Sequence, residues 1–554
     1  MSMSVSTVSR MWSQMWKWHH QAIELLTLNP GGRTGSGSGG SGGGQAAETK
    51  EGSDPQKEKE PRSYDTRQLV GLMLGPLLFI ATLLFFTPEG LSWEARAVLA
   101  STLWIATWWI TEAIPIPATS IMPIILFPLT GSLESGTVVS AYGDNTVFLF
   151  MGGFVLALAL EKWGVHKRIA IAIISVIGTS TPKIVLGFMV ATGFLSMWIS
   201  NTATAMMMVP IGTAIIMQVS KSLKEKHKGD TEVERVNFSR ALLLGIAYSA
   251  SIGGLGTLIG TPPNTIFAGV VNQLYGIDIS FAIWMLFGVP LSILMLGLVW
   301  FYLVKVQFKM KITQIPGGRE VIQNEKRSLG KVQPEEKIVL AVFVITAFFW
   351  ISRTFIFDGV EAFEINDTTI AIGAAVTLFL IPSIRMPGRI MDWDTAKKLP
   401  WGILLLFGGG LAIAAGFTET GLAEYIGNQL TVLAAVNFFV ILLAVTALVI
   451  FLTEITSNTA TATMMFPIMA SLAFAIDVHP YALMVAAALA ASCAFMLPVA
   501  TPPNAVVFAS TDLRIGDMAK AGFWINVASI FIIACFVYFY LPIAWGIDLQ
   551  SYPF

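Results

Sequence analysis

From Leu69 to the end of the chain, apolar runs of about 15 to 20 residues recur with short polar gaps between them. Each is near the length a helix needs to cross a roughly 30 Å hydrocarbon core. The runs fall near 69–86, 95–111, 113–130, 146–160, 241–274, 282–304, 338–357, 368–382, 401–415, 480–510 and 522–545. Two further stretches, Lys183–Val219 and Asn437–Phe474, are interrupted halfway by a polar Ser-Asn-Thr and read as re-entrant helical hairpins. Backbone groups in lipid must be satisfied within the segment. The pattern therefore predicts an all-α polytopic membrane protein with about eleven transmembrane helices and two re-entrant hairpins.

A repeat divides this bundle in two. Ser200–Ile211 reads SNTATAMMMVPI and Ser457–Ile468 reads SNTATATMMFPI, which differ at two of twelve positions. The same offset of 257 residues aligns Phe150, Gly152, Gly153, Ala157 and Gly164 with Phe407, Gly409, Gly410, Ala414 and Gly421. A second word, TPPN, occurs at Thr261–Asn264 and Thr501–Asn504, an offset shorter by 17, and the polar 17-residue stretch Lys221–Asn237 accounts for the difference. The basic residues Lys162, Lys167 and Arg168 align with a stretch that holds Glu419 and Glu424 and no base. Reversed charge at aligned positions implies reversed topology. The expected organisation is a flexible extension over 1–67, an extra first transmembrane helix over 68–92, a first repeat over 93–304, a connector over 305–337, and an inverted second repeat over 338–548.

Orientation follows from loop charge. The 305–337 segment carries eight Lys and Arg, whereas 357–367 has Asp358, Glu361, Glu364 and Asp367 and no base. The positive-inside rule makes the first cytoplasmic and the second external. Lys221–Arg240, Arg385–Lys398 and the Lys162–Arg168 region join the cytoplasmic side. The first long apolar run begins too late for a signal peptide, so the N-terminus is expected in the cytoplasm and, after eleven crossings, the C-terminus outside. Ahead of that run, Met11, Trp12, Met15 and Trp16 at helical spacing precede a Gly/Ser tract, a weak amphipathic start on a tether.

Composition closes off other classes. Only 12% of the residues are charged, 54% are hydrophobic, and mean hydropathy is +0.69, about half the charge of a soluble chain. A net charge of -1 offers no basic field for nucleic acid. Cys493 and Cys535 supply neither a disulfide framework nor a thiolate metal cluster. HExxH and GK[ST] are absent, and the one GxSxG match, Gly39–Gly43, is low-complexity sequence, so an intramembrane enzyme has little to build on. None of His19, His20, His166, His227 or His479 falls near the repeated words, which argues against a histidine proton relay.

The repeated words suggest what the bundle holds. Residues after Ser-Asn-Thr begin a new helix, so N–H groups near Ala203 and Ala460 lack intrahelical acceptors and point their positive ends at the tip, where anions bind. Two such tips facing one another would clamp a ligand negative at both ends, with hydroxyls and amides as directional donors. The prolines of TPPN donate no N–H, freeing the carbonyls of Leu258 and Ile259 in one half and of Pro498 and Val499 in the other. With hydroxyls one turn before each tip, Ser196 and Thr453, each half offers oxygens suited to a sodium ion. Glu454 abuts the second tip while its aligned position is Met197, so it is either a cation neutraliser or a one-sided structural group. Glu112, in a short turn, is expected to be solvated.

The paired SNT and TPPN words, with WITEAIPIPATS at 109–120 and TEITSNTAT at 453–461, resemble the divalent anion:sodium symporter family over Leu69–Asp548. The resemblance implies that Ser200, Asn201, Thr202, Ser457, Asn458, Thr459, Thr501 and Pro502 line a substrate site. It implies one sodium site involving Ser196, Ser200, Asn201 and Gly260, and another involving Thr453, Thr456, Asn458 and Ala500. It further implies a homodimer in the plasma membrane that moves its binding domain like an elevator and imports C4-dicarboxylates such as succinate, fumarate or malate with co-transported sodium. A sodium-independent dicarboxylate exchanger, or a citrate or sulfate carrier on the same fold, is the alternative.

Overall fold

The computed structural model describes residues 64–178, 180–226, 231–310, 318–356, 365–509 and 513–554. The amphipathic start and Gly/Ser tract, Asp358, Glu361 and Glu364 lie outside them. Among the described residues the chain is helical throughout, with one isolated bridge between Pro382 and Arg389.

The apolar runs become helices with polar caps at their ends. Ser92 accepts the Ala95 N–H to open Trp93–Thr111, Asp144 that of Thr146 to open Asn145–Lys162, and Asn366 that of Thr369 to open Asp367–Leu380. Glu112, exposed and left-handed at φ 51°, ends the Trp93–Thr111 helix as a solvated turn. The extra first helix, Thr66–Phe85, pairs with Trp93–Thr111, and the Trp108 indole reaches the Gly71 carbonyl at 2.9 Å.

Three expected single crossings are broken. The 113–130 run forms Ile116–Thr119 and Pro123–Thr130, because Pro115, Pro117 and Pro123 remove N–H donors and restrict the residues before them. The 241–274 run forms Thr231–Gly254 and Pro262–Tyr275, and the 480–510 run forms Pro480–Ala491 and Pro502–Ala509, each broken at TPPN. Seven described helices are long and apolar enough to cross a membrane singly, while Leu422–Ala435 and Phe438–Thr453 reach that length only together and are bent by 120° at the break between them, as a re-entrant segment would be.

Both hairpins form. Thr181–Ser196 and Asn201–Lys226 are the arms of the first, Phe438–Thr453 and Asn458–Ala475 those of the second, so both tips break at matching residues. Each is preceded by a short helix the apolar-run reading did not isolate, Val165–Ile177 and Leu422–Leu430, entered through left-handed Gly164 (φ 68°) and Gly421 (φ 73°). The 17 extra residues of the first half lengthen its second arm and the following helix beyond their counterparts.

The hairpins enter from opposite faces. At the foot of the first, the Trp300 indole meets the Pro182 carbonyl at 3.0 Å, and Arg240 pairs with Asp517 at 2.7 Å. The same face carries Lys162 on Asp392 (2.6 Å) and Arg168 on Glu336 (2.7 Å). The foot of the second meets the chain's last residues: His479 N–H donates to the Leu549 carbonyl at 3.2 Å and Tyr552 N–H to Asp477 at 3.2 Å. Phe554 stacks on Tyr275, three residues before Asp278, which with Arg353 and Asp367 lies on that face.

Candidate binding site between the two hairpin tips

The breaks at Ser-Asn-Thr and TPPN are neighbours in space. The second arm of each hairpin packs against the helix that follows TPPN in the other half: Asn201–Lys226 on Pro502–Ala509, and Asn458–Ala475 on Pro262–Tyr275. The Thr261 and Ser492 hydroxyls approach to 3.3 Å across the two halves. Ser200, Asn201, Thr202, Ser457, Asn458 and Thr459 are half-buried, Thr501 is buried, and Pro502 is exposed. Arg67, at the start of the extra first helix, donates to the Ile455 carbonyl at 3.3 Å, so the second tip borders that helix.

An amide in each TPPN word fixes the unwound stretch before it. Asn264 donates to the carbonyls of Gly254 (3.1 Å) and Thr257 (2.8 Å), and Asn504 to those of Ala494 (3.0 Å) and Leu497 (3.1 Å). The two sets correspond residue for residue. Sequence reading assigned neither Asn a role, although the repeated word contained both. Sitting between broken helices, each amide replaces donors that the prolines removed.

The two halves differ in what is left over. In the first, Ser196 Oγ and Asn201 Oδ1 are buried and without partners, as are the hydroxyls of Thr192 and Thr204. A Cβ on Gly254 would lie 3.1 Å from both Asn201 amide atoms and 2.9 Å from the Gly260 carbonyl oxygen, so those three residues converge. Unpartnered buried oxygens are costly unless something positive meets them. In the second half the Thr453 hydroxyl lies 2.7 Å from Asn458 Oδ1 and 2.8 Å from the Ala491 carbonyl oxygen, sharing its one proton between them, while Thr456 is tied to the Leu452 carbonyl (2.7 Å) and the Thr461 hydroxyl (2.6 Å). Ala500 is buried beside Thr501.

Two expected free groups are occupied. The Ala203 N–H is capped by Ser200 Oγ at 3.2 Å, because the serine caps its own helix, and the Leu258 carbonyl accepts the Thr265 hydroxyl one turn beyond the prolines. The WITEAIPIPATS word is held by Trp109 donating to Ser120 Oγ at 3.1 Å and Tyr142 to the Ser120 carbonyl at 2.6 Å, and Arg67, which bonds Ile455 at the second tip, also donates to the Ile110 carbonyl in that word.

Two matched halves entering from opposite faces, with broken helices and buried polar oxygens between them, define a secondary transporter of the inverted-repeat kind. The chain belongs to the divalent anion:sodium symporter family: the profile of the sodium:sulfate symporter transmembrane region matches residues 66–546. The sodium-dependent dicarboxylate transporter SdcS of Staphylococcus saprophyticus is 53% identical over 498 residues, covering 89% of this chain and 95% of that protein. SdcS of Staphylococcus aureus strain MRSA252 is 51% identical with the same coverage. Among solved structures, Neisseria gonorrhoeae MtrF, described among antimetabolite efflux pumps, aligns with a TM-score of 0.52 at 14% identity over 86% of this chain and 95% of that one. The Alcanivorax borkumensis YdaH transporter aligns at 0.50 and 12% identity over 81% and 99%. At such identities the likeness is one of fold.

Proposed function

We propose that the protein imports C4-dicarboxylates such as succinate, fumarate and malate across the plasma membrane with co-transported sodium. The observation that carries this reading is the pair of matching tips with unpartnered buried oxygens beside one of them and no Lys or Arg within either word. Ser200, Asn201, Thr202, Ser457, Asn458, Thr459, Thr501 and Pro502 would hold the dianion, its carboxylates meeting helix N-termini and hydroxyls. Ser196, Ser200, Asn201 and Gly260 would hold one sodium ion, and Thr453, Thr456, Asn458 and Ala500 another. The 51–53% identity to proteins named sodium-dependent dicarboxylate transporters supports the substrate and the coupling ion.

A dianion with two sodium ions moves no net charge; a third ion would add roughly 2.3 kcal/mol per 100 mV of membrane potential. Sodium binds first, because it orders the oxygen cages and offsets the incoming charge, and the coupling is reciprocal, so succinate raises sodium affinity. The protein works as a homodimer whose hairpin-bearing part moves like an elevator against a fixed scaffold. The sodium:sulfate name of the matching profile gives a second reading, a sulfate carrier, a specific point to test.

Radiolabelled succinate uptake into proteoliposomes separates them. Uptake should require external sodium and resist competition by sulfate. Asn201→Ala and Asn458→Ala should each lower it by at least about tenfold, the scale for removing polar ligands from a buried site, while remaining monodisperse. Uptake that persists when choline replaces sodium would remove the coupling, and competition by sulfate alone would transfer the site to the second reading.

A further inference from the structure

The two unwound stretches are pinned by different chemistry. Around 255–261 the groups are neutral: the Asn264 amide, the Thr257 hydroxyl on the Met197 carbonyl, and the Trp284 indole on the Leu255 carbonyl at 3.0 Å. In the second half the residue aligned with Met197 is Glu454, which is 4% exposed. Its Oε1 accepts the N–H groups of Phe495 (2.7 Å) and Met496 (2.9 Å) and the Asn526 amide (2.7 Å); its Oε2 accepts the Leu497 N–H at 3.0 Å.

All four partners are donors, so the group they surround is a carboxylate. Among the described residues no Lys or Arg pairs with it. A buried carboxylate held by neutral donors alone is costly unless a cation shares its surroundings. Its chain neighbour, Thr453, bonds Asn458 Oδ1, and the backbone it holds runs on within three residues to Ala500 and Thr501. That backbone has little freedom: Asn504 holds its carbonyl side, and a Cβ on Gly522 would come to 2.0 Å from the Phe495 carbonyl oxygen.

We propose that Glu454 is a positioning residue of the second sodium cage, fixing the 495–497 backbone that leads to Ala500 and supplying the negative charge that the cage's ion answers. The first cage has no such charge, so the second binds sodium more tightly. This rests on the sodium-coupled reading above and adds an order between its two ion sites.

The test is the sodium dependence of succinate uptake by the full-length protein in proteoliposomes. Glu454→Gln keeps the side chain's shape, removes the charge and sets an NH2 against the Leu497 N–H. It should raise half-saturating sodium about tenfold or more, as expected when a buried charge partner is lost, while half-saturating succinate at saturating sodium stays within about twofold. Asn526→Ala keeps the charge and removes one of four hydrogen bonds, and should raise half-saturating sodium by about two- to fivefold. A monodisperse Glu454→Gln protein with wild-type sodium dependence overturns the proposal. Should that variant not fold, wild-type sodium dependence in Asn526→Ala overturns it instead. Wild-type uptake that ignores sodium brings down the transport reading and this inference with it; sodium-driven wild type with unmoved variants brings down the inference alone.

Discussion

At the residue scale, hydroxyls inside an apolar helix normally satisfy themselves on the carbonyl one turn back. Thr107, Thr446 and Thr463 do so at 2.7, 2.7 and 2.8 Å. Thr192 and Ser196, four residues apart on the first arm and close to its break, are left without partners. His479, in the loop after the second hairpin, shows the cost of burying a titratable group. Burial pushes its imidazole down to about 4, against a smaller opposite pull from Asp548, and its Nδ1 accepts the Tyr481 N–H at 3.3 Å. The folded state therefore keeps the ring neutral while the unfolded chain, near 6.5, takes up a proton first. The stability this contributes is present above about pH 6.5 and is lost as pH falls toward 4, on the order of 1–3 kcal/mol. Thermal unfolding of the purified protein should shift downward between pH 7 and pH 4.5, and His479→Gln, which retains a cap acceptor, should reduce that shift; an equal shift in both proteins would clear His479 of the effect.

At the scale of elements, the tips depend on how closely the helices beside them approach. Gly193, on the first arm, and Gly253, near the end of Thr231–Gly254, touch backbone to backbone: a Cβ on Gly253 would lie 2.1 Å from the Gly193 carbonyl oxygen. No rotamer change relieves contact with a backbone, so Gly253→Ala should cost more than the roughly 1–3 kcal/mol of ordinary overpacking and abolish uptake, whereas Gly373→Ala, with nothing within 4 Å, should transport normally. Normal uptake by Gly253→Ala would show that the two helices can part. The sequence disclosed where both hairpins break because a polar word inside an apolar run is a strong local signal, and repetition doubled it, although the second arm of the first runs on to Lys226, past the expected Val219. It concealed the breaks at 255–261 and 492–501, where only TPPN interrupts an otherwise continuous apolar run, and it concealed Gly254, whose importance lies in the Asn201 amide packed over it. The occupied Leu258 carbonyl was equally hidden, since Thr265 reaches it only once the turn has formed.

At the scale of the molecule, the charges that set the topology also tie its parts together. On one face Lys162, Lys167 and Arg168 bond Asp392, Glu325 and Glu336, joining the first repeat to the connector and to the segment before Trp401–Glu419. The Lys162 hydrogen bond holds the Asp392 carboxyl down at about 2, so that carboxylate stays ionised at any pH the cell meets. On the other face Arg353 joins Asp278 and Asp367, and the last residues pack on Asp477, His479 and Tyr275. Eleven crossings were expected and several of those runs are broken, yet the basic face does not depend on counting them, since the pairs of Lys162, Lys167 and Arg168 with Asp392, Glu325 and Glu336 each link segments given the same side by their own charge. If the basic face is cytoplasmic, single cysteines placed on a background lacking Cys493 and Cys535 will report it. Lys331→Cys should react with an impermeant maleimide only after the cells are opened, and Asp278→Cys in intact cells. Labelling in the reverse order would invert the assigned topology while leaving the direction of transport to the sodium gradient, whereas labelling of both in intact cells would mean the two faces do not lie on opposite sides of the membrane.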